Sequence, residues 1–388
     1  MHLTGDDERM ARIAWSRIAE PADPHAGETV ARLGPVEALA WLRHHAGNRG
    51  SLGRVSRACV DRWAPRLETL DVERDLAAFE RIGGRVIMPG DPEWPVQFRD
   101  LETLAPHVLW LRGVLPIPGS RHQEQERPGT SVVSVVGSRA STRYGETIAG
   151  ELGYGLADSG CVVVSGGAYG IDAAAHRGAL AAPEGAGTIA VLAGGADRFY
   201  PAGNAGLLAQ IAERGLIVAE MPPGSSPARY RFLSRNRLIA ALGRVTVVVE
   251  ASHRSGALST ANHAADLLRP IGAVPGPVTS AASAGCHRLF REGKAVCVTG
   301  VEDVRELMSP AGSGISAEGP DVREGLLDGL DPLASRVFDA LPARSAAEID
   351  SLVRVSGLAR LEVMAGLGSL ELAGRVRRSG TRWARVTS

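Results

Sequence analysis

One stretch limits what this chain can fold into more than any other. From Ser131 to Asp172 it reads SVVSVVGSRASTRYGETIAGELGYGLADSGCVVVSGGAYGID. The β-branched run Ser131–Val136 predicts a strand, and Gly137-Ser138-Arg139 predicts a tight turn after it. Ile148, Leu152 and Leu156 recur at helical spacing, so a helix should follow and stop near Gly160. The run Cys161–Ser165 predicts a second strand. It leads into the glycine turn Gly166-Gly167-Ala168-Tyr169-Gly170, with Asp172 at the opening of another helix. Strands that each end in a glycine turn at a helix N-terminus aim backbone N–H groups and positive dipole ends at one sheet edge. Phosphate oxygens can be held there. One such turn is explained as a tight connection alone; two on adjacent strands strain that explanation.

The alternation continues without a gap. Further strands are expected at Thr188–Leu192, Leu216–Glu220, Val245–Glu250, Ile271–Val274 and Ala295–Val298, with helices between them. Val245-Thr246-Val247-Val248-Val249 is apolar on both faces, as a central parallel strand covered by helices should be. The expected fold class is α/β: a Rossmann-like, doubly wound, mainly parallel sheet over residues 81–308. Shorter strands at Arg85–Met88 and Val108–Leu111 flank the turn-rich loop PGDPEWP (89–95), and residues 116–130 read as a polar surface loop.

Residues 1–80 are expected to form a helical (SAM-like) N-terminal domain, with apolar positions such as Ile13, Trp15, Val30 and Leu39 at helix-like spacing. They carry no chemical signature. Residues 309–329 (SPAGSGISAEGPDVREGLLDG) read as a linker. Residues 330–388 predict helices around Val337, Leu341, Ile349 and Leu352, another over Leu361–Leu372, and a hairpin turning at Ser379-Gly380. Three helices and a β-wing make a winged-helix domain.

A length of 388 residues agrees with two or three such domains. The net charge is zero, which argues against coating nucleic acid by bulk charge but allows a local basic groove. Lys294 is the only lysine, so arginine is the default cation and a single arginine says less about phosphate than usual. Cys59, Cys161, Cys286 and Cys297 show no metal-ligand spacing and read as buried thiols in a reducing compartment. With no leader pattern or membrane-length apolar run, a soluble, cytoplasmic protein without membrane contact is expected.

The candidate site gathers at the sheet edge. Ser138 and Arg139 can donate to a phosphate, the arginine in a two-pronged fashion. The Ser165–Gly170 turn is a second seat, lacking both the dinucleotide GxGxxG spacing and a P-loop lysine. Arg229, Arg231, Arg235 and Arg237 interleave with Tyr230 and Phe232, a pattern in which cations track phosphates and rings stack bases of a single strand. His253-Arg254-Ser255-Gly256 makes a third turn at a helix start. His176 is expected to be packed. No metal-ligand cluster, nucleophile elbow or paired carboxylates accompany these turns, so the expectation is a protein without catalysis and without cofactor.

Together the motifs resemble the DNA-processing protein A (DprA/Smf) family. The resemblance is carried by VVGSRASTRYG (135–145), VVSGGAYGIDAAAHRGAL (163–180), TIAVLAGGADRFYPAGNAGL (188–207), FLSRNRLIAAL (232–242), VVVEASHRSGALSTANHA (247–264) and AVPGPVTSAASAGCHRLFREG (273–293). A looser match over 332–386 is similar to the family's C-terminal winged helix. The resemblance implies a protein that binds and protects single-stranded DNA and loads the RecA recombinase in transformation or recombination. It implies a homodimer, and the single-strand-binding protein as a further partner. Carried over by motif, the DNA-binding set is Gly137, Ser138, Arg139, Ser165, Gly166, Gly170, Arg235, Asn236, Arg237, Arg254, Ser255 and Gly256. Three departures stand out. Tyr169 fills a variable position; Phe232-Leu233-Ser234-Arg235-Asn236-Arg237 lacks the proline of the usual Phe-Pro-x-Arg-Asn-Arg; and the N-terminal helices lack a glycine-rich helix-hairpin-helix turn.

Two other readings stand beside this one, the first on the same sheet edge and the second on the winged helix. Cytokinin-activating phosphoribohydrolases share such a sheet, but their PGGxGTxxE turn supplies a catalytic Glu that Ser255–His263 lacks. A duplex-binding regulator would instead use Arg375, Arg377, Arg378, Arg382 and Arg385 along the wing.

Overall fold

The computed structural model describes residues 5–48, 52–120, 130–309, 331–342 and 345–386, with backbone only at 54 and 55. Parts of the expected surface loop (121–129) and linker (310–329) lie outside the described residues. The chain divides into two compact units, residues 1–311 and 312–388.

The first unit is built on a nine-stranded sheet. Its strands are β1 (Gly84–Ile87), β2 (Leu109–Gly113), β3 (Val132–Val136), β4 (Val162–Ser165), β5 (Thr188–Leu192), β6 (Leu216–Ala219), β7 (Val245–Val248), β8 (Ile271–Ala273) and β9 (Val296–Cys297). They lie in the order β1-β2-β6-β5-β4-β3-β7-β8-β9. From β6 to β9 all neighbours are parallel; β1 and β2 join antiparallel at the β6 edge. Chain order runs outward from β3 through β4, β5 and β6 on one side and through β7, β8 and β9 on the other. The order therefore reverses between β3 and β7, where Val133 of β3 sits opposite Val245. At such a switch point the flanking crossovers diverge and leave a crevice beyond the strand ends.

The helices that define the crevice are α6 (Arg143–Asp158), α7 (Ile171–Ala181), α8 (Ala205–Arg214), α9 (Arg229–Leu242) and α10 (Ala257–Asp266); α11 (Ala284–Arg291) and α12 (Val301–Met308) complete the unit. Thr142 caps α6 by accepting from the Gly145 N–H at 3.1 Å. Helices α6 and α7 cross closely because glycine is there: a Cβ at Gly153 would lie 2.2 Å from the Ala175 carbonyl oxygen.

The N-terminal residues form α1 (Gly5–Ile18), α2 (Pro24–Leu33), α3 (Pro35–Ala46), α4 (Arg54–Leu67) and α5 (Val72–Glu80). Trp15 and Trp63 meet edge to face at 5.3 Å in their core. That core does not stop at residue 80. It runs on through Trp110, Ile217, Ala219 and Leu192, so the helices are packed on one face of the sheet. Sequence periodicity found the helices but had no means of showing this continuity.

In the second unit, α13 (Pro332–Ala340), α14 (Ile349–Ser356) and α15 (Arg360–Leu372) surround Val337, Leu352, Val363, Leu367 and Trp383. β11 (Val376–Ser379) and β12 (Arg382–Arg385) form the wing, and β10 (Ala347–Glu348), too short to announce itself in sequence, pairs with β12. Ser379 still pairs with Arg382, so the turn is Gly380-Thr381, one residue later than expected. Cys59, Cys161 and Cys286 are buried free thiols. Cys297 departs from that expectation: it is exposed on the edge strand β9.

Candidate nucleic-acid interface

A crevice of about 700 Å³ opens beyond the C-terminal ends of β3 and β7. Eight of the twelve residues singled out from sequence line it: Gly137, Ser138, Arg139, Arg235, Asn236, Arg254, Ser255 and Gly256. Arg229, Tyr200, Phe232 and Ser252 line it as well. Four arginines face one carboxylate, Asp172, among these lining residues, so the crevice is electropositive in a chain of zero net charge.

Each side chain is held by its element. Arg139, exposed at the end of the β3 turn, lies over the Phe232 ring at 4.3 Å, and Phe232 sits 6.0 Å from Tyr200. This places a guanidinium over one aromatic face, with a second ring tilted at 50° against the first. Arg254 is exposed in the β7 turn. Asn236 Nδ2 donates to the Gly256 carbonyl at 3.2 Å, tying α9 to that turn, and Ser255 Oγ accepts from the Ala257 N–H at 3.3 Å.

Arg235 differs from these. Only 5% exposed, it crosses over the backbone of Gly166, where any Cβ would lie 2.2 Å from the guanidinium. Nη1 donates to the Val191 carbonyl, while Nε has no partner among the described residues. Burial lowers its pKa to about 10 against the pull of Asp172. Arg235 thus supplies positive charge from the crevice floor.

The turns donate less than sequence suggested, because two buried carboxylates already take their amides. Asp172 Oδ2 accepts from Gly166 N–H at 3.2 Å and Ala168 N–H at 3.4 Å, and burial raises its pKa. Glu250, 2% exposed at the end of β7, accepts from Thr142 N–H at 2.9 Å and Thr142 Oγ1 at 2.5 Å. A carboxylate therefore occupies the start of α6, where a dinucleotide fold would seat its phosphate. What remains available is the outer rim of exposed guanidiniums, Arg139 and Arg254; the Ser138 N–H and Oγ already donate to the Glu250 and Ala140 carbonyls at 2.8 and 3.0 Å, and the first amides of α10 donate to Ser255 and Gly256.

Four sequence candidates lie away from the crevice lining. Ser165 is fully buried and donates to the Val135 carbonyl at 2.6 Å. Gly166 lies beneath Arg235. Gly170, at φ +75°, backs onto the β3 turn, its Cβ position 2.4 Å from the Ser138 carbonyl oxygen. Arg237 is 2% exposed; it pairs with Glu220 through both nitrogens at 2.7 and 2.8 Å and donates to the Leu104 and Ser234 carbonyls. Its observed contacts are with the protein interior. Sequence reasoning missed Tyr200 and the Glu250 clamp. The exposed aromatic in DRFYP was the available signal for the first; nothing local signals the second.

His176 is fully buried, its Nδ1 2.7 Å from Thr188 Oγ1. On the wing, Arg382 pairs with Glu348, and Arg385 donates to the Phe338 carbonyl at 2.8 Å. Among the described residues no group of His, Cys, Asp and Glu could hold a metal ion, and no helix is long and apolar enough to cross a membrane.

A doubly wound sheet with an arginine-lined, aromatic-flanked crevice at its switch point, followed by a winged helix, defines a nucleic-acid-binding protein of the Rossmann class. Comparison with known proteins narrows the class. The family model for DNA recombination-mediator protein A matches residues 85–309, and that for the DprA winged helix domain matches residues 323–380. A DNA processing protein DprA from Mycobacterium tuberculosis is 45% identical over 385 residues, covering 95% of this chain and 93% of its own. The X-ray structure of DNA processing protein A from Streptococcus pneumoniae superposes with a TM-score of 0.61 at 29% identity, over 79% of this chain and 98% of that one. A structure of the Helicobacter pylori protein, solved for its single-stranded DNA binding mode, covers 57% of this chain and 94% of its own at 28% identity and TM-score 0.50. The chain belongs to the DprA/Smf DNA-processing family, whose role is to bind single-stranded DNA and load the RecA recombinase.

Proposed function

We propose that this chain performs the family's role through the switch-point crevice: the backbone of a single strand runs along Ser138, Arg139, Arg254 and Ser255, above the buried charge of Arg235. The observation that carries this reading is the Arg139–Phe232–Tyr200 stack beside an electropositive rim. Arginine can neutralise a phosphate while the rings receive an unstacked base, a combination suited to single strands and tolerant of sequence. The filled starts of α6 and α7 favour a polymer lying across the rim over a small nucleotide seated in either turn. We further propose that the protein acts as a cytoplasmic homodimer and meets the single-strand-binding protein on the same DNA. The buried free thiols support a reducing compartment.

Fluorescence anisotropy with a labelled oligonucleotide and its duplex, across a salt series, tests the site. Replacing Arg139 and Arg254 together by alanine should weaken single-strand binding at least tenfold, since a hydrogen bond to a charged group is worth about 1.5–3 kcal/mol. The slope of log affinity against log salt should flatten by about 0.7 for each phosphate that is no longer neutralised. Unchanged affinity and slope would remove the crevice from consideration.

A further inference from the structure

The N-terminal helices touch the loop and helix that form one wall of the crevice, and they do so through charge. Glu20, in the turn between α1 and α2, accepts two parallel hydrogen bonds from Arg231 of α9, from Nε and Nη2, each at 2.9 Å. Arg66 of α4 donates to the same carboxylate and, at 2.8 Å, to the Ile18 carbonyl. Arg231 Nη1 reaches the Ser226 carbonyl at 2.7 Å, in the segment leading into α9. A second tie comes from Arg17 of α1, which donates to the Pro223 carbonyl at 2.9 Å while paired with Asp75 of α5.

The start of α9 needs such support. Its cap position is Ala228, which offers no side-chain acceptor, and its first turn has no acidic residue. Arg229 and Arg231 instead put positive charge at the positive end of the helix dipole, where cations are unfavourable. By its own sequence this turn should fray. Yet it carries Arg229 and Phe232 into the crevice, and Phe232 is the ring under Arg139. Glu20 brings the missing negative charge from residues 211 positions away.

We infer that Glu20 is a positioning residue for the DNA crevice, and that the N-terminal helices act as a buttress holding the first turn of α9 in its binding geometry. The inference rests on the reading of the crevice given above, but its primary readout does not. In the full-length Glu20→Gln protein, amide hydrogen exchange at residues 226–234 should speed up at least tenfold while the strands β3 to β5 keep their protection. Single-strand affinity should fall about three- to tenfold with an unchanged salt slope, because every phosphate-binding group stays in the protein. Arg231→Gln should do the same, and the double variant should be no weaker than either single one.

Unchanged exchange at 226–234 in both variants would overturn the buttress. A lowered salt slope for Arg231→Gln alone would also overturn it, since Arg231 would then be binding DNA directly. Faster exchange in Glu20→Gln, with binding insensitive to Arg139 and Arg254, would uphold the buttress and reject the crevice as the DNA site. Uniformly faster exchange through the sheet would mean that Glu20 serves global stability, and the inference would fail.

Discussion

Arg139 and Arg237 look alike in sequence, each preceded by a small polar residue and followed by an apolar one (Ser138-Arg139-Ala140 and Asn236-Arg237-Leu238), and they make a sharp experimental contrast. Arg237 donates four hydrogen bonds, two to Glu220 and one each to the Leu104 and Ser234 carbonyls, at 2.7–3.0 Å. Truncation to alanine leaves the Glu220 carboxylate, whose side chain is 11% exposed, without its counter-charge. Breaking one side of a buried pair costs about 3–5 kcal/mol. At about 2–4 °C per kcal/mol for a large domain, the melting temperature of the first unit should fall by roughly 6–20 °C. Arg139 is exposed and stacks on Phe232, so its truncation should cost about 0.5–1 kcal/mol of stability. Binding should show the reverse order. Assayed by anisotropy well below its melting point, Arg237→Ala should keep single-strand affinity within about twofold, whereas Arg139→Ala should lose about tenfold. Replacing Glu220 and Arg237 together by methionine should recover most of the forfeited stability, because the stranded charge is gone. An Arg237→Ala protein that melts normally but no longer binds DNA would refute the reasoning: Arg237 would then be leaving its pair to reach the strand.

Two further consequences can be read from the same atoms. Gly166→Ala should displace Arg235, whose guanidinium lies 2.2 Å from the Cβ position, costing about 1–3 kcal/mol in a denaturant titration and weakening single-strand binding. Gly206→Ala in α8, with open space around its Cβ, should be neutral or slightly stabilising, and equal effects at the two sites would show that packing over Gly166 is irrelevant. His176 gives a pH dependence. Thr188 Oγ1 donates to the Val163 carbonyl, so it accepts from Nδ1–H of the imidazole, and among the described residues Nε2 has no acceptor for a second proton. Burial lowers its pKa from 6.5 to about 3, so its stabilising neutral state is fully present above pH 6.5 and is lost as pH falls toward 3. Over that window it should contribute a slope of up to about 1.4 kcal/mol per pH unit, and His176→Leu should flatten the profile; an unaltered profile would count against it.

Much of the fold was legible because it follows from patterns that survive in one dimension. Seven β-branched runs, apolar on both faces and each followed by a turn and a helix, leave little besides a doubly wound sheet, and the expected strands recur within one or two residues. The charges were harder to read, because an ion pair joins residues that sequence keeps apart. Glu20 precedes Arg231 by 211 positions, and Glu250 follows Thr142 by 108. With a single lysine in the chain, an arginine that holds a carboxylate and one that holds a phosphate are the same letter. One clue was nevertheless present along α9. Leu238-Ile239-Ala240-Ala241-Leu242 is apolar in every direction, and a helix apolar all round is enclosed on all sides. All five residues are in fact at most 1% exposed. A cation adjoining such a segment is drawn inside with it and must find an internal partner, whereas one at the polar start of the helix need not. By that rule Arg235 and Arg237, next to the enclosed half, are charges of the interior, while Arg229 is free to face the crevice. Arg231 sits between the two regimes, and Glu20 decides it.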